Sequence, residues 1–181
     1  KLIEIVIALL FLGIELTNAQ VQSDFVAYYT HLNSGESFEK YSKTFEYADL
    51  VVRLNNTMKF IFWRASSYRP HLDINGIKYY VDEIVATNGD GPGLRFDNIN
   101  AYSWVKLVSN TDSRVVVEWR YCPDFININD DSGFVYETYT INANGNVTRK
   151  VKRGEKKLRH WLDTNNVTTQ TFTLTPDGIT N

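Results

Sequence analysis

Beyond residue 23 the apolar and polar positions alternate in short runs, separated by residues that stop strands. Residues 25–31, 44–54, 58–64, 71–74, 77–81, 101–108, 114–122, 134–141, 146–151, 158–162 and 167–174 each read as extended. A period of two sends successive side chains to opposite faces of a pleated strand. Asn75-Gly76 and Asn144-Gly145 sit between such runs and predict hairpins, the first a strong signal because both central positions of its tight turn require positive φ. Thr87-Asn88-Gly89-Asp90-Gly91-Pro92-Gly93 suits only a loop, and residues 33–42 suit a loop or a short helical turn. After the first nineteen residues, no stretch sustains a helical period. Short strands with turn signals every ~8–12 residues predict an all-β antiparallel sandwich, a jelly roll or part of a supersandwich.

The alternation also assigns faces. In residues 114–122, Val115, Val117, Trp119 and Tyr121 share one side, and Val116, Glu118, Arg120 and Cys122 share the other. The first side is core; the second is mixed and suited to a groove. Residues 60–65 set Phe60, Phe62 and Arg64 against Ile61, Trp63 and Ala65. A cation in line with two phenylalanines is costly to bury without a partner. Arg64 is therefore expected at the rim of the sheet, at a cleft mouth beside Tyr68 and His71, or against an acid, with Glu83 and Glu118 the candidates.

Composition adds class and compartment. Hydrophobic residues make up 43% of 181 and aromatics 14%, with eleven Tyr and ten Phe, a globular and strand-favouring mixture. A formal net charge of −2 argues against a nucleic-acid partner, whose binders are basic overall. An apolar run over residues 2–12 behind Lys1, followed by Thr17-Asn18-Ala19, predicts a signal peptide over 1–19 and a β-sandwich domain over 20–181. The run falls short of the ~20 apolar residues of a membrane span. A secreted or periplasmic domain with no membrane contact after leader removal is the expectation. Cys122 is the single cysteine, so the fold must rest on its core and not on a disulfide. The chain stops just after Asp177-Gly178 with a strand barely begun, which predicts truncation of a longer protein at this end.

Candidate chemistry clusters where the run at 58–64 gives way to polar residues. Arg64 has the fork to hold a carboxylate, Trp63 offers a flat face for a sugar ring, and Tyr68 and His71 can carry protons. A lyase acting on a uronic-acid polymer needs those three roles: a carboxylate neutraliser, a base for the C5 proton and an acid for the leaving oxygen. The plainer alternative makes Trp63 core, Arg64 an edge cover and residues 66–70 an ordinary turn. A second set, Glu118, Arg120, Glu137 and Tyr139, forms a substrate groove if it faces a cleft, and routine cross-strand pairs if it faces water. Glu83 joins the substrate-binding candidates. Residues 149–159 carry seven cations, which either attract an anionic polymer or guard an edge strand. The oxygen-rich loop at 124–133 lacks the Gly and closing Glu of a calcium-binding EF-hand loop, so turn chemistry is favoured over structural calcium. His31, His71 and His160 are too scattered to form a metal site; no metal and no cofactor are expected. Asn55, Asn146 and Asn166 open glycan-acceptor sequons, relevant only in a source that glycosylates secreted proteins.

Three segments together carry a resemblance: Phe62-Trp63-Arg64-Ala65-Ser66-Ser67-Tyr68-Arg69-Pro70, Arg114-Val115-Val116-Val117-Glu118-Trp119-Arg120-Tyr121, and Tyr136-Glu137-Thr138-Tyr139-Thr140-Ile141 before Asn144-Gly145. They resemble large secreted bacterial proteins of polysaccharide utilisation, with lyase-like or hydrolase-associated β-sandwiches. The chain departs from that pattern at Ala65, where the family has Gly, and at Glu118, where it has His. The resemblance implies a carbohydrate setting. Two functions follow as expectations: the N-terminal part of a lyase or hydrolase acting on an acidic polysaccharide, or a non-catalytic carbohydrate-binding domain that stacks sugars on Trp63, Tyr68 and Trp161.

Overall fold

The computed structural model describes residues 24–41, 48–64, 69–82, 103–121, 134–153 and 167–181. Within them the alternating runs become β1 (Val26–Thr30), β2 (Asp49–Arg53), β3 (Met58–Phe62), β4 (His71–Ile74), β5 (Ile77–Tyr80), β6 (Ser103–Asn110), β7 (Arg114–Tyr121), β8 (Val135–Asn142), β9 (Asn146–Arg153), β10 (Val167–Thr175) and β11 (Gly178–Thr180). A single 3₁₀ turn, Leu32–Ser34, occupies the polar stretch after β1. The first sheet runs β1-β2-β3-β4-β5 and the second β11-β10-β9-β8-β7-β6. All pairings are antiparallel and each sheet is a meander of consecutive strands. The expected all-β sandwich is what forms; among the described residues the crossed strand order of a jelly roll is not present. The signal-peptide expectation over 1–19 and the runs at 158–162 and 124–133 lie outside the described residues.

Both Asn-Gly signals produce hairpins. Asn75 and Gly76 have φ of 52° and 88°, the paired positive values such a turn needs. Gly145 has φ 88° and donates its N–H to the Asn142 carbonyl at 2.9 Å. Its own carbonyl accepts the N–H of Leu174 at 2.9 Å, which ties the β8–β9 turn to β10.

The two sheets pack through large side chains sent inward by alternate positions. Leu50, Phe60, Phe62 and Leu72 from the first sheet meet Val117, Trp119, Tyr139 and Phe172 from the second, all buried. The Phe62 ring stands edge-on to Tyr139 at 5.1 Å and tilted to Trp119 at 5.9 Å, and Phe60 lies 5.8 Å from Tyr139. Offset and edge-on contacts of this kind add to area burial, each ring removing 150–250 Å² from water as a rough range. The open edge of β1 is closed by polar groups. Asn110 accepts the Ala27 N–H at 3.1 Å and donates to the Ala27 carbonyl at 2.9 Å, and Tyr29 exchanges both backbone bonds with Glu39 at 2.9 Å. Closing such an edge removes a template for association with another chain.

The outer faces of the two sheets differ. On the first, Tyr28, Val51 and Ile61 form a second buried cluster with Trp63 packed against it. Phe38 covers Tyr28 at 5.3 Å, and Glu36 accepts from the Tyr28 hydroxyl and pairs with Lys59 at 2.8 Å. The outer face of the second sheet carries a long groove.

Candidate ligand-binding groove

The Trp63–His71 cluster is divided by the sheet itself. Register pairs Ile61 with His71, so His71 lies on the outer face of the first sheet with Ile61 and Tyr28. Arg64 follows the phenylalanine face and reaches the other sheet, where its guanidinium donates to the Ser103 carbonyl, Nε at 2.9 Å. It is only 1% exposed. Its backbone N–H donates to Asp49 Oδ1 at 2.8 Å, and the other oxygen of that carboxylate accepts the Leu32 N–H at 2.9 Å. Burial lifts the Asp49 carboxyl above its ordinary range, against the pull of those two N–H groups and of the nearby Arg64 charge. Arg64 therefore meets an acid and a carbonyl inside the sandwich and does not stand at a rim. The acid that its backbone meets is Asp49; Glu118 lies on the outer face of the second sheet, and Glu83 is outside the described residues. Desolvation explains the choice: a cation between apolar sheets is tolerated where oxygens already converge.

His71 is 1% exposed, packs 5.2 Å from the Tyr80 ring and has no hydrogen-bond partner on either ring nitrogen. Burial, helped by the Lys78 charge and opposed by Asp73, lowers its pKa to about 4. Trp63 lies on the same outer face, with Lys78 Nζ 4.5 Å above its ring. Tyr68 and Glu83 fall outside the described residues, as does Trp161.

The second set also separates, by parity. Trp119 pairs with Glu137 and Val117 with Tyr139, so Glu137 and Tyr139 take the core face, while Glu118 and Arg120 pair with Thr138 and Tyr136 on the outer face. Glu137 is 1% exposed and accepts from four donors: Arg149 Nη2 at 2.6 Å, Arg149 Nε at 2.9 Å, the Tyr121 hydroxyl at 2.9 Å and the Tyr139 hydroxyl. Arg149 spends its remaining nitrogen on the Asp82 carbonyl at 2.7 Å and Gln170 Oε1 at 3.3 Å. Burial and the Glu137 charge raise the Tyr139 hydroxyl well above its ordinary range, and the surrounding anionic oxygens hold Arg149 charged. This is a closed internal cluster. The substrate-groove reading of Glu137 and Tyr139 is corrected by it, as is the surface role of Arg149.

What remains on the outer face forms two transverse rows. Register aligns Trp104, Arg120, Tyr136, Lys152 and Val167 across five strands, and Lys106, Glu118, Thr138, Lys150 and Thr169 beside them. They line a groove of about 920 Å³. The Arg120 guanidinium carbon lies 3.7 Å from the Trp104 ring centroid, 4.8 Å from Phe134 and 5.9 Å from Tyr136. Trp104 and Phe134 meet edge-on at 5.5 Å. Burial raises the Tyr136 hydroxyl, with Arg120 pulling the other way. Among the described residues that line the groove, four cations and one exposed carboxylate, Glu118, stand on the outer face, while Glu137 borders it from the core side with its carboxylate buried. The Lys106–Glu118 pair, at 3.7 Å and well exposed, is weakly coupled. β9 lies between β8 and β10, so Lys150 and Lys152 do not guard an edge.

Trp104, Phe134, Tyr136 and Lys106 are the residues that single-strand reading passes over, while Lys150 and Lys152 belong to the basic run it singled out. The alignment lies in the strand registers: the β7–β8 and β8–β9 pairings bring Arg120, Tyr136 and Lys152 into one row. Among the described residues, no group of three His, Cys, Asp or Glu is placed to hold a metal ion, and no helix is long and apolar enough to cross a membrane. No protein-family model matches the chain, and no curated protein or solved structure matches it significantly.

Proposed function

We propose that this chain is a secreted β-sandwich domain that binds acidic polysaccharide along the outer face of its six-stranded sheet. The observation that carries this reading is the groove itself, where an Arg120-stiffened aromatic platform lies beside cations in a trough of about 920 Å³. A sugar ring stacks on an indole through its C–H faces, and uronate carboxylates or sulfates answer the cationic excess. The apolar run behind Lys1 and the three resembling segments supply the extracellular carbohydrate setting. Binding without catalysis is the better-supported form. Arg64 and His71 sit on opposite faces of one sheet, which weighs against a lyase centre built from them.

The test is calorimetric titration with galacturonate, mannuronate and glucuronate oligomers, each against its neutral methyl ester. Acidic oligomers should bind and lose affinity with added salt, as exposed charge interactions are screened over ~10 Å at 0.1 M. Trp104→Ala should cost at least about 1 kcal/mol, the scale of an aromatic contact beyond its area. Absence of binding across all three acidic series refutes the proposal.

A further inference from the structure

We infer that the groove takes its polysaccharide across the strands and divides the recognition between its ends: aromatic stacking on β6–β8, and selection for negative charge by Lys150 and Lys152 on β9. This inference rests on the carbohydrate-binding reading and adds to it a direction, a minimum length and a charge-reading pair.

The four groove cations are not equivalent. Arg120 is packed on Trp104 at 3.7 Å and flanked by Phe134 and Tyr136, so its charge serves the platform beneath a ligand. Lys106 already has Glu118 across the strand pair at 3.7 Å. Lys150 has only Thr138 and Thr169 as cross-strand neighbours, and Lys152 has Tyr136 and Val167. Among the described residues no carboxylate pairs with either lysine. Being two apart on one strand, they stand on the same face, roughly 7 Å from each other at ~3.4 Å per residue. A sugar carboxylate entering here meets two ammonium groups that, among the described residues, have no acid as a cross-strand neighbour.

The distance between the two ends sets the ligand's length. Trp104 on β6 and Lys152 on β9 belong to one transverse row, three strand spacings apart, or about 14 Å at ~4.8 Å per strand. One pyranose cannot touch both. A linked sugar advances by about one strand spacing, so a chain of about three units is needed to bridge platform and lysines. The row beside it, from Lys106 to Thr169, gives the same chain hydroxyl partners along its flank.

The experiment titrates oligouronates from disaccharide to hexasaccharide, and their methyl esters, into the parent chain, Trp104→Ala and the double variant Lys150→Gln/Lys152→Gln. Thermal unfolding of each variant controls for folding. Affinity for the acidic series should step up between disaccharide and tetrasaccharide. The double lysine variant should lose at least about tenfold on the acidic tetrasaccharide, the scale of one charge-assisted hydrogen bond, together with its salt dependence. Its affinity for the methyl ester should be unchanged, while Trp104→Ala should weaken both ligands. If the double variant binds the acidic tetrasaccharide like the parent while Trp104→Ala loses it, the division of labour is overturned and the binding function stands. If affinity shows no step with length, the transverse course is overturned. If neither variant alters binding, or no oligouronate binds, the carbohydrate reading itself fails.

Discussion

Replacing Arg149 by Met tests the internal cluster most sharply. In the parent, the Glu137 carboxylate is held by two Arg149 nitrogens at 2.6 and 2.9 Å and by the hydroxyls of Tyr121 and Tyr139. Met fills similar volume and removes the countercharge, leaving a carboxylate between two apolar sheets with two neutral donors. Breaking one side of a buried ion pair costs about 3–5 kcal/mol, against roughly 5–15 kcal/mol of total stability for a domain. Arg149→Met should also release the Asp82 carbonyl, which loosens the segment after β5 from β9. The double variant Glu137→Gln/Arg149→Met removes both charges while Gln still accepts from a tyrosine hydroxyl. It should be more stable than Arg149→Met alone, with a coupling energy of at least about 2 kcal/mol. Urea unfolding at pH 7, followed by tryptophan fluorescence and checked by circular dichroism, reads all of these. A cost under about 1 kcal/mol for Arg149→Met, or losses that simply add, would refute the claim that charge pairing holds this part of the core. Oligouronate affinity per folded molecule should be the same in all variants, because the cluster faces away from the groove; a folded variant that no longer binds would return Glu137 to the ligand site.

Two further perturbations bear on the first sheet and on the turns. His71 is neutral in the folded chain down to about pH 4, whereas the unfolded imidazole takes its proton near 6.5. The unfolded state therefore binds more protons between those values, so stability present above 6.5 falls as pH drops toward 4, by about 3 kcal/mol in all at ~1.4 kcal/mol per pH unit. His71→Leu should flatten unfolding free energy across that window; an unchanged slope sinks the assignment. Gly145→Ala places a Cβ 2.5 Å from the Leu174 carbonyl oxygen at φ 88°, so it should cost more than the ~1–2 kcal/mol of left-handed backbone alone. Gly76→Ala, at the same φ with open space around it, should cost only that backbone term; equal losses at the two glycines in urea unfolding would contradict the difference.

The fold was legible because its determinants are local. Alternation marked β7 and β8 to within a residue, and Asn75-Gly76 fixed a hairpin whose dihedrals the backbone adopts. Nothing local distinguishes a meander from a crossed order, since that depends on which strands meet after long loops. The acid that takes the Arg64 backbone N–H was hidden for the same reason. Asp49 lies fifteen positions back, and its carboxylate reaches Arg64 only because β2 and β3 pair with Leu50 opposite Phe62.

The candidate site was legible by type and misplaced by parity. Glu118 and Glu137 look alike in the sequence, each flanked by aromatic and β-branched residues on a strand of eight. Register decides between them: Glu118 lies opposite Thr138, Glu137 opposite Trp119, and one residue of offset moves a carboxylate from solvent to core. The core tolerates it only because Arg149, in the apparent surface run of cations, has the inward parity on β9 and sits within reach. The same parity sends Lys150 and Lys152 outward, onto the rows that begin at Lys106 and Trp104 respectively. A basic run is thus split residue by residue between neutralising a buried acid and lining the groove, and the hairpin turns, not the charges, determine which cation does which.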